Sequence, residues 1–577
     1  MKNFSFLMIA TVAFTSLTLV ACRTNTPSKT TATDKMPQPR PVEKPRTIAE
    51  LQRAALRYNS QLTLPQFEET PEAVKIAITN AMREADTGLD QIGRLRPDQV
   101  NFTNTVRALD DIVYKAGLTA NRIYLAKETS TNAAVREAGT EAVKVFSDWA
   151  VGLDYREDVY RAVRAYADTN PRLSGEDAKL LEEVMRDYRR AGLNLPKAER
   201  DEVERLRKQL SQISTDFDKN ITDARKSLTF TRAQLDGVPE TFLNQKGVKT
   251  GEDEYTIMAN VTFHIITVMD NCRVEETRRR LLFERENLAR EQNLALLNQI
   301  LSLRQQIAQK LGYANWADYQ IEPKMAKDGK TALNFLEDLK RGLQPKFQAE
   351  LAEYQKLKAR ETGNPNARIE IWDWRYYSNE LKKQRYNVDA EQLRVYFPYE
   401  RVLQGMFNIY QHIFGLDFIE VEPPYKWIED LKLYAVTDSQ TGEPLGFFYL
   451  DMFPREGKYN HFAQFGIIEG KRLPNGFYQR PTVALICNFP PPASGKPSLL
   501  SHSEVETLFH EFGHAMHSVL TRANHARFSG TSVPRDFVEA PSQMLENWVW
   551  EKDSLAKLSG HYKTGKPLPD DLIQKLI

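Results

Sequence analysis

From residue 47 to residue 246 the chain carries apolar side chains at three- and four-residue intervals, with almost no strand-like alternation. That spacing gathers them on one face of a 3.6-residue helix, so this long stretch is expected to be almost wholly helical. Val203, Leu206, Leu210, Ile213 and Phe217 make the clearest stripe. Its heptad-like spacing lasts only about two heptads, which favours a helical hairpin inside the chain over a coiled-coil dimer. A monomer is expected. Strand-like runs enter only later: weakly at 254–263, then at 431–436 and 446–453 around a turn at 438–442, and at 483–489. The fold class read from this is mainly α with a small sheet. A chain of 577 residues is too long for one ordinary domain. Two predominantly helical lobes are expected, an N-terminal one at 47–250 and a second at 251–577.

Charge excludes one class of partner. The 78 basic and 77 acidic residues nearly cancel, so no nucleic acid is implied. The N-terminus has export-signal architecture: Lys2 precedes an uncharged run from Phe4 to Ala21, which ends in Leu19-Val20-Ala21-Cys22. Those last four residues resemble the lipobox of bacterial lipoproteins. The expectation is a signal peptide at 1–21, acylation of Cys22, and attachment to a membrane through that lipid. Residues 22–46 are rich in Thr, Pro and Lys and nearly devoid of apolar residues, the composition of a disordered tether. Together these features place the chain in the bacterial cell envelope, periplasmic or anchored to the outer membrane. With Cys22 acylated, only Cys272 and Cys487 remain, and both are expected as buried thiols.

Five of the nine histidines fall between 502 and 525. Within that cluster His510-Glu511-Phe512-Gly513-His514 is an H-E-x-x-H sequence. The preceding Ser503-Glu504-Val505-Glu506 reads as a capping box opening a helix that runs to about Leu520. Val505, Leu508, Phe509, Phe512, Met516, Val519 and Leu520 form the apolar stripe of that helix. On a helix, His510 and His514 stand about 6 Å apart along the axis on one face, so both imidazoles can converge on one zinc ion. Glu511, beside a ligand but free of the ion, is placed to take a proton from water. His517 lies about 10 Å along the axis from His510, too far to share that ion. A third ligand must come from elsewhere. Glu539 and Glu546 follow two turns apart on one face, and periodicity does not choose between them. Gly513 is costly in mid-helix, which suggests close approach of another segment. Glu506 and Arg535 each lie four residues before a ligand position and are candidates for an ion pair bracing the two helices.

His510–His514, then Phe528-Ser529-Gly530-Thr531 and Asp536-Phe537-Val538-Glu539-Ala540-Pro541-Ser542-Gln543, resemble the thimet oligopeptidase, neurolysin and oligopeptidase A family. The resemblance takes in Tyr449 through Tyr459 and the 483–489 strand, and extends more faintly from about Leu64 onward. It implies a zinc ligand twenty-five positions beyond the second histidine, which selects Glu539 and leaves Glu546 to support a ligand or lie at the surface. It implies one Zn2+ per chain, two helical lobes flanking a deep channel, and short unstructured peptides as substrates of a metalloendopeptidase. The family also carries a later Gly- and Tyr-rich loop whose tyrosine and histidine stabilise an oxyanion. No such loop follows His514 here, so the chain is expected to be C-terminally incomplete. The alternative expectation is a catalytically impaired, zinc- or peptide-binding lipoprotein on the same scaffold.

Overall fold

The computed structural model describes residues 47–577 apart from 246, 387–392, 460, 493 and 494. The expected signal peptide, Cys22 and the expected tether therefore lie outside the described residues. Among the described residues no helix is long and apolar enough to cross a membrane.

The architecture is mainly helical with small sheets, and the chain forms two units. Their limits are not those expected from composition. One unit joins residues up to 193 to residues 394–569, and the other holds 194–393 with 570–577. A division at 250 follows the point where strands first appear in the sequence, whereas buried contacts return the chain to its N-terminal helices much later. Lys471, almost fully buried, donates to Asp110 Oδ2 at 2.8 Å and also pairs with Asp111. Arg527 Nε reaches Glu183 Oε2 at 2.9 Å. Residues Ser60–Gln61 pair in parallel with Tyr478–Gln479.

The first unit opens with six helices: α1 (Ile48–Leu56), α2 (Pro71–Gly93), α3 (Ala108–Thr129), α4 (Ala133–Leu153), α5 (Glu157–Ala167) and α6 (Gly175–Ala191). After residue 394 come α7 (Tyr399–Phe414) and the strands β1 (Leu416–Val421), β2 (Lys432–Asp438), β3 (Pro444–Asp451), β4 (Ala463–Ile468) and β5 (Thr482–Ile486). Then follow α8 (His502–Val519) and α9 (Glu539–Glu546). The five strands form one sheet in the order β1-β2-β3-β5-β4. β5 runs parallel to β3 and antiparallel to β4, which makes β4 an edge strand.

Alternation decides the two faces of this sheet. Leu433, Ala435, Phe447, Tyr449, Ala463, Phe465, Ile467, Ala484 and Ile486 bury against Leu51 and Leu125 on one side. Phe448 points the other way, and Phe512 of α8 packs edge-on against it with ring centroids 5.2 Å apart. Tyr410 of α7 closes on the Phe512 ring at 4.7 Å. Aromatic pairs of this kind contribute about 0.5–1.5 kcal/mol each beyond their buried area. Helix α8 is thereby held to the sheet by a dry aromatic cluster.

In the second unit the helix expected to form a hairpin instead meets one that is not its neighbour in sequence, because a strand ladder and three helices lie between the two. The helix Lys197–Asp223 lies along Arg290–Lys310, with Leu206 and Ile213 buried against Ile300, Leu303 and Ile307. A two-stranded antiparallel ladder pairs Ser227–Phe230 with Tyr255–Met258. Its polar interior centres on Asp373, which takes Arg278 Nη2 and Lys358 Nζ, each at 2.6 Å. Cys272 and Cys487 are both free and buried.

Candidate metal centre

α8 begins two residues earlier than the capping-box reading placed it. Ser501, not Ser503, is the N-cap: its hydroxyl accepts from the Glu504 amide while the Glu504 carboxylate accepts from the Ser501 amide. Both serines stand three residues before a glutamate, so the sequence offers two frames. Arg394 settles the choice by holding Glu504 with a 2.6 Å ion pair. Val505, Leu508, Phe509, Phe512, Met516 and Val519 are buried as expected, and Leu520 is only partly so.

The opposite stripe presents His510 and His514, whose Nε2 atoms lie 3.2 Å apart. Glu539, the first residue of α9, brings Oε2 to 3.3 Å from His510 Nε2 and 3.1 Å from His514 Nε2. Three donors at almost equal separations form one face of a small tetrahedron. An ion 2.0–2.1 Å from four tetrahedral donors requires edges of about 3.3 Å, so the residues fit zinc without rearrangement. His510, His514 and Glu539 are the group of His, Cys, Asp and Glu side chains among the described residues that could hold such an ion.

Each neighbour has an identifiable task. Glu546 Oε1 accepts from His510 Nδ1 at 2.7 Å, which fixes the imidazole tautomer and leaves the Nε2 lone pair facing Glu539. His514 Nδ1 is buried with no partner. Hydrogen bonds from His510 and His514 hold the Glu539 carboxyl well below the ordinary carboxylate range. Burial works against protonating His510, but Glu539 and Glu546 together push its imidazole up. Glu511 is buried, and that burial pushes its carboxyl up despite the nearby histidines.

α9 can approach this closely because residue 513 is glycine. A Cβ there would stand 2.9 Å from Ser542 Cα. Pro541 falls in the first turn of α9 and so starts the helix rather than kinking it. The ion pair expected between Glu506 and Arg535 is not what the structure shows. Glu506 accepts from Trp550 Nε1 at 2.8 Å, and Arg535 is exposed in the loop before α9. Trp550 folds back over α8 from the segment after α9, a tertiary return that local spacing does not encode.

Comparison with known proteins agrees with this geometry. The model of "Peptidase family M3" matches residues 268–577. This chain belongs to peptidase family M3. It is 34% identical to a thimet-like oligopeptidase of Dictyostelium discoideum over 89% of this chain and 78% of that protein. It is 34% identical to saccharolysin of Saccharomyces cerevisiae, over 89% and 74%. Against oligopeptidase A of Escherichia coli it is 31% identical, over 89% and 78%. Among solved structures it is similar to a putative oligoendopeptidase F, with a TM-score of 0.45, 14% identity, and coverage of 84% and 69%.

Membership in the family makes peptide hydrolysis the chemistry to be explained. Sequence reasoning left several parts of this M3 peptidase unassigned. The motif from Pro454 to Tyr459 proves to be a staple. Asp451, fully buried, takes Lys458 Nζ and Arg455 Nη1, both at 2.8 Å, and the indole of Trp427 at 2.8 Å. Lys458 Nζ also reaches the carbonyls of Asp451, Phe453 and Cys487, tying the ends of β3 and β5 together below Glu511. A lysine seven residues beyond an aspartate that ends an apolar run was the available signal. Two other histidines of the cluster are held structurally: His502 Nε2 meets the Val549 carbonyl at 2.8 Å, and His525 Nε2 meets Asp177 at 2.7 Å.

Proposed function

We propose that this chain is a zinc-dependent metalloendopeptidase acting on short unstructured peptides, with His510, His514 and Glu539 as ligands and Glu511 as general base. The observation that carries the reading is the near-equilateral set of three donors: two imidazole nitrogens and a carboxylate oxygen converge at 3.1–3.3 Å, the separations expected of ligands around one zinc ion. Zinc, when bound, supplies Lewis acidity to a water and to the scissile carbonyl.

The chain's own residues supply the rest. Glu511 takes the proton of the attacking water and returns it to the leaving amine. Its burial pushes its carboxyl up from the ordinary carboxylate range. Glu546 keeps His510 in the tautomer whose Nε2 can ligate. The aromatic cluster under α8 keeps the histidine pair from turning. The oligopeptidase names of the relatives support short peptides as the substrate class.

Zinc content and cleavage of a quenched fluorescent peptide test the reading together. The native chain should carry one zinc and cleave. Glu511→Gln should keep the zinc and lose cleavage by about 100-fold or more, the range of a general base. Zinc-loaded native protein with no cleavage above the Glu511→Gln background would remove the enzymatic claim.

A further inference from the structure

We propose that Glu469 is a positioning residue for the metal centre, acting through Ser529 and the α8–α9 connection so that its protonation governs how firmly Glu539 is held against the two histidines. The inference rests on the zinc reading above. Glu469 follows the last residue of β4, and its side chain folds back along that strand. A Cβ on residue 466 would stand 2.6 Å from Glu469 Oε1, so glycine there makes the room. Ser529, 1% exposed, meets the carboxyl from the connection. Its hydroxyl donates to Glu469 and accepts from the Gly470 amide at 2.9 Å. The next residue, Gly530, lies directly on α8: its φ is +52°, and a Cβ there would stand 2.7 Å from Ser518 Cα. One line of contact thus runs from the end of the edge strand through Ser529 to the last turn of α8. The same connection then continues into α9 and Glu539.

What marks Glu469 out is the lack of a counter-charge. Tyr114, Asp110 and Asp111 of α3 and Tyr478 of the 471–479 hairpin stand around it. The cations of the neighbourhood are committed to other acids: Lys471 to Asp110 and Asp111, and Arg527 of the connection to Glu183 and Asp187. Tyr114 donates at 3.4 Å to the Glu469 backbone carbonyl, not to its carboxyl. Burial therefore pushes the carboxyl up to about 7, against the pull of the Ser529 hydrogen bond. A carboxyl with a higher proton affinity in the folded chain than in the unfolded one adds stability while it is protonated. That stability is lost as pH rises from the ordinary carboxylate range through about 7. Once ionised, an unpaired carboxylate gains by moving toward water. That movement draws it off Ser529, slackens the seat of Gly530 on Ser518, and loosens the connection that carries Glu539. The protonated carboxyl holds the serine without that cost.

Zinc affinity measured between pH 6 and pH 8, by competition with a zinc-sensing dye, tests the assignment. Each variant is compared with the native chain at the same pH, so that titration of the ligands themselves cancels. Glu469→Gln copies the protonated form. It should match the native chain at pH 6 and bind zinc about 3- to 10-fold more tightly at pH 8, the ratio bending near neutrality. Ser529→Ala breaks the relay. It should bind zinc more weakly than the native chain at pH 6, and adding Glu469→Gln to it should bring no gain at pH 8. A ratio of Glu469→Gln to native affinity that stays flat with pH overturns the assignment. So does a Glu469→Gln chain whose metal-free Tm departs from the native one as pH rises while its zinc affinity does not, because the role is then structural. Should Glu469→Gln fail to fold, the ratio of native to Ser529→Ala affinity carries the test: it should fall toward one as pH rises, and a constant ratio overturns the assignment. A native chain that binds no zinc at either pH removes the zinc reading, and the inference with it.

Discussion

At the scale of single residues the centre shows how two identical side chains on one helix face come to do different things. Glu539 and Glu546 are separated by two turns of α9, and both turn toward α8. Nothing in their spacing distinguishes a ligand from a supporter. The axial offset of α9 along α8 does: it sets Glu539 against the Nε2 atoms of both histidines and Glu546 against the Nδ1 of one. The histidine pair and Glu511 were therefore legible from local sequence, because one helix fixes their geometry. The third donor, Glu539, was legible only by resemblance, because a packing offset fixes its place. The division of labour makes a quantitative expectation. Glu546→Ala should weaken zinc binding by about 10- to 100-fold, the usual cost of removing the partner of a ligating imidazole. Glu546→Gln keeps an oxygen acceptor and should lose less. Competition against a zinc-sensing dye measures both. An unchanged zinc affinity in the Ala variant would show that the 2.7 Å contact is incidental.

At the scale of elements, the decisive contact is helix on helix at Gly513. Helix propensity alone says that Gly513→Ala should stabilise α8 by about 1 kcal/mol. Packing says the reverse. The new methyl would meet backbone, Ser542 Cα at 2.9 Å, with Leu545 Cδ1 at 3.3 Å behind it. Backbone cannot swing aside as a side-chain tip can, so α9 must retreat, and overpacking of this kind costs about 1–3 kcal/mol. The packing term wins. Gly513→Ala is expected to lower the thermal stability of the first unit and to weaken zinc binding, because the retreating helix carries Glu539. Calorimetry with and without added zinc checks this. A variant more stable than the native chain with unchanged zinc affinity would show that α9 accommodates the methyl. The sequence suggested this close approach because a mid-helix glycine needs a reason. It did not reveal the edge strands β1 and β4. Their apolar runs are broken by Asp417 and Glu420 in one and by Gln464 and Gly466 in the other. An edge strand has one solvated flank and tolerates such residues, so the periodic signal is weakest there. The central strands β2, β3 and β5 are buried and read clearly as apolar runs.

At the scale of the whole molecule, composition indicated two units but not which residues make each. The shift from purely helical to mixed sequence near residue 250 marks where the class of local structure changes. The first unit instead closes through pairs separated by hundreds of residues, such as Lys471 with Asp110 and Tyr478 with Asn59. Helical periodicity carries no record of such pairings. The division has a consequence for metal removal, because all three donors and Glu546 belong to the first unit. A ligand that binds only the folded state stabilises it by about 2.7 kcal/mol when free ligand is one hundred times Kd. Stripping zinc removes that contribution from the unit that holds it. Amides protected in α8, in α9 and in the strands β3 and β5 should then exchange about 100-fold faster, the same free energy expressed as an opening equilibrium. Amides in the helix pair Lys197–Asp223 and Arg290–Lys310 have no ligand to lose and should keep their rates. Hydrogen exchange read by mass spectrometry, before and after treatment with a chelator, resolves the two sets of peptides. Unchanged exchange around α8 would mean that no metal was bound there. Equal acceleration in both sets would mean that the two units unfold as one, and that division by contact is not division by stability.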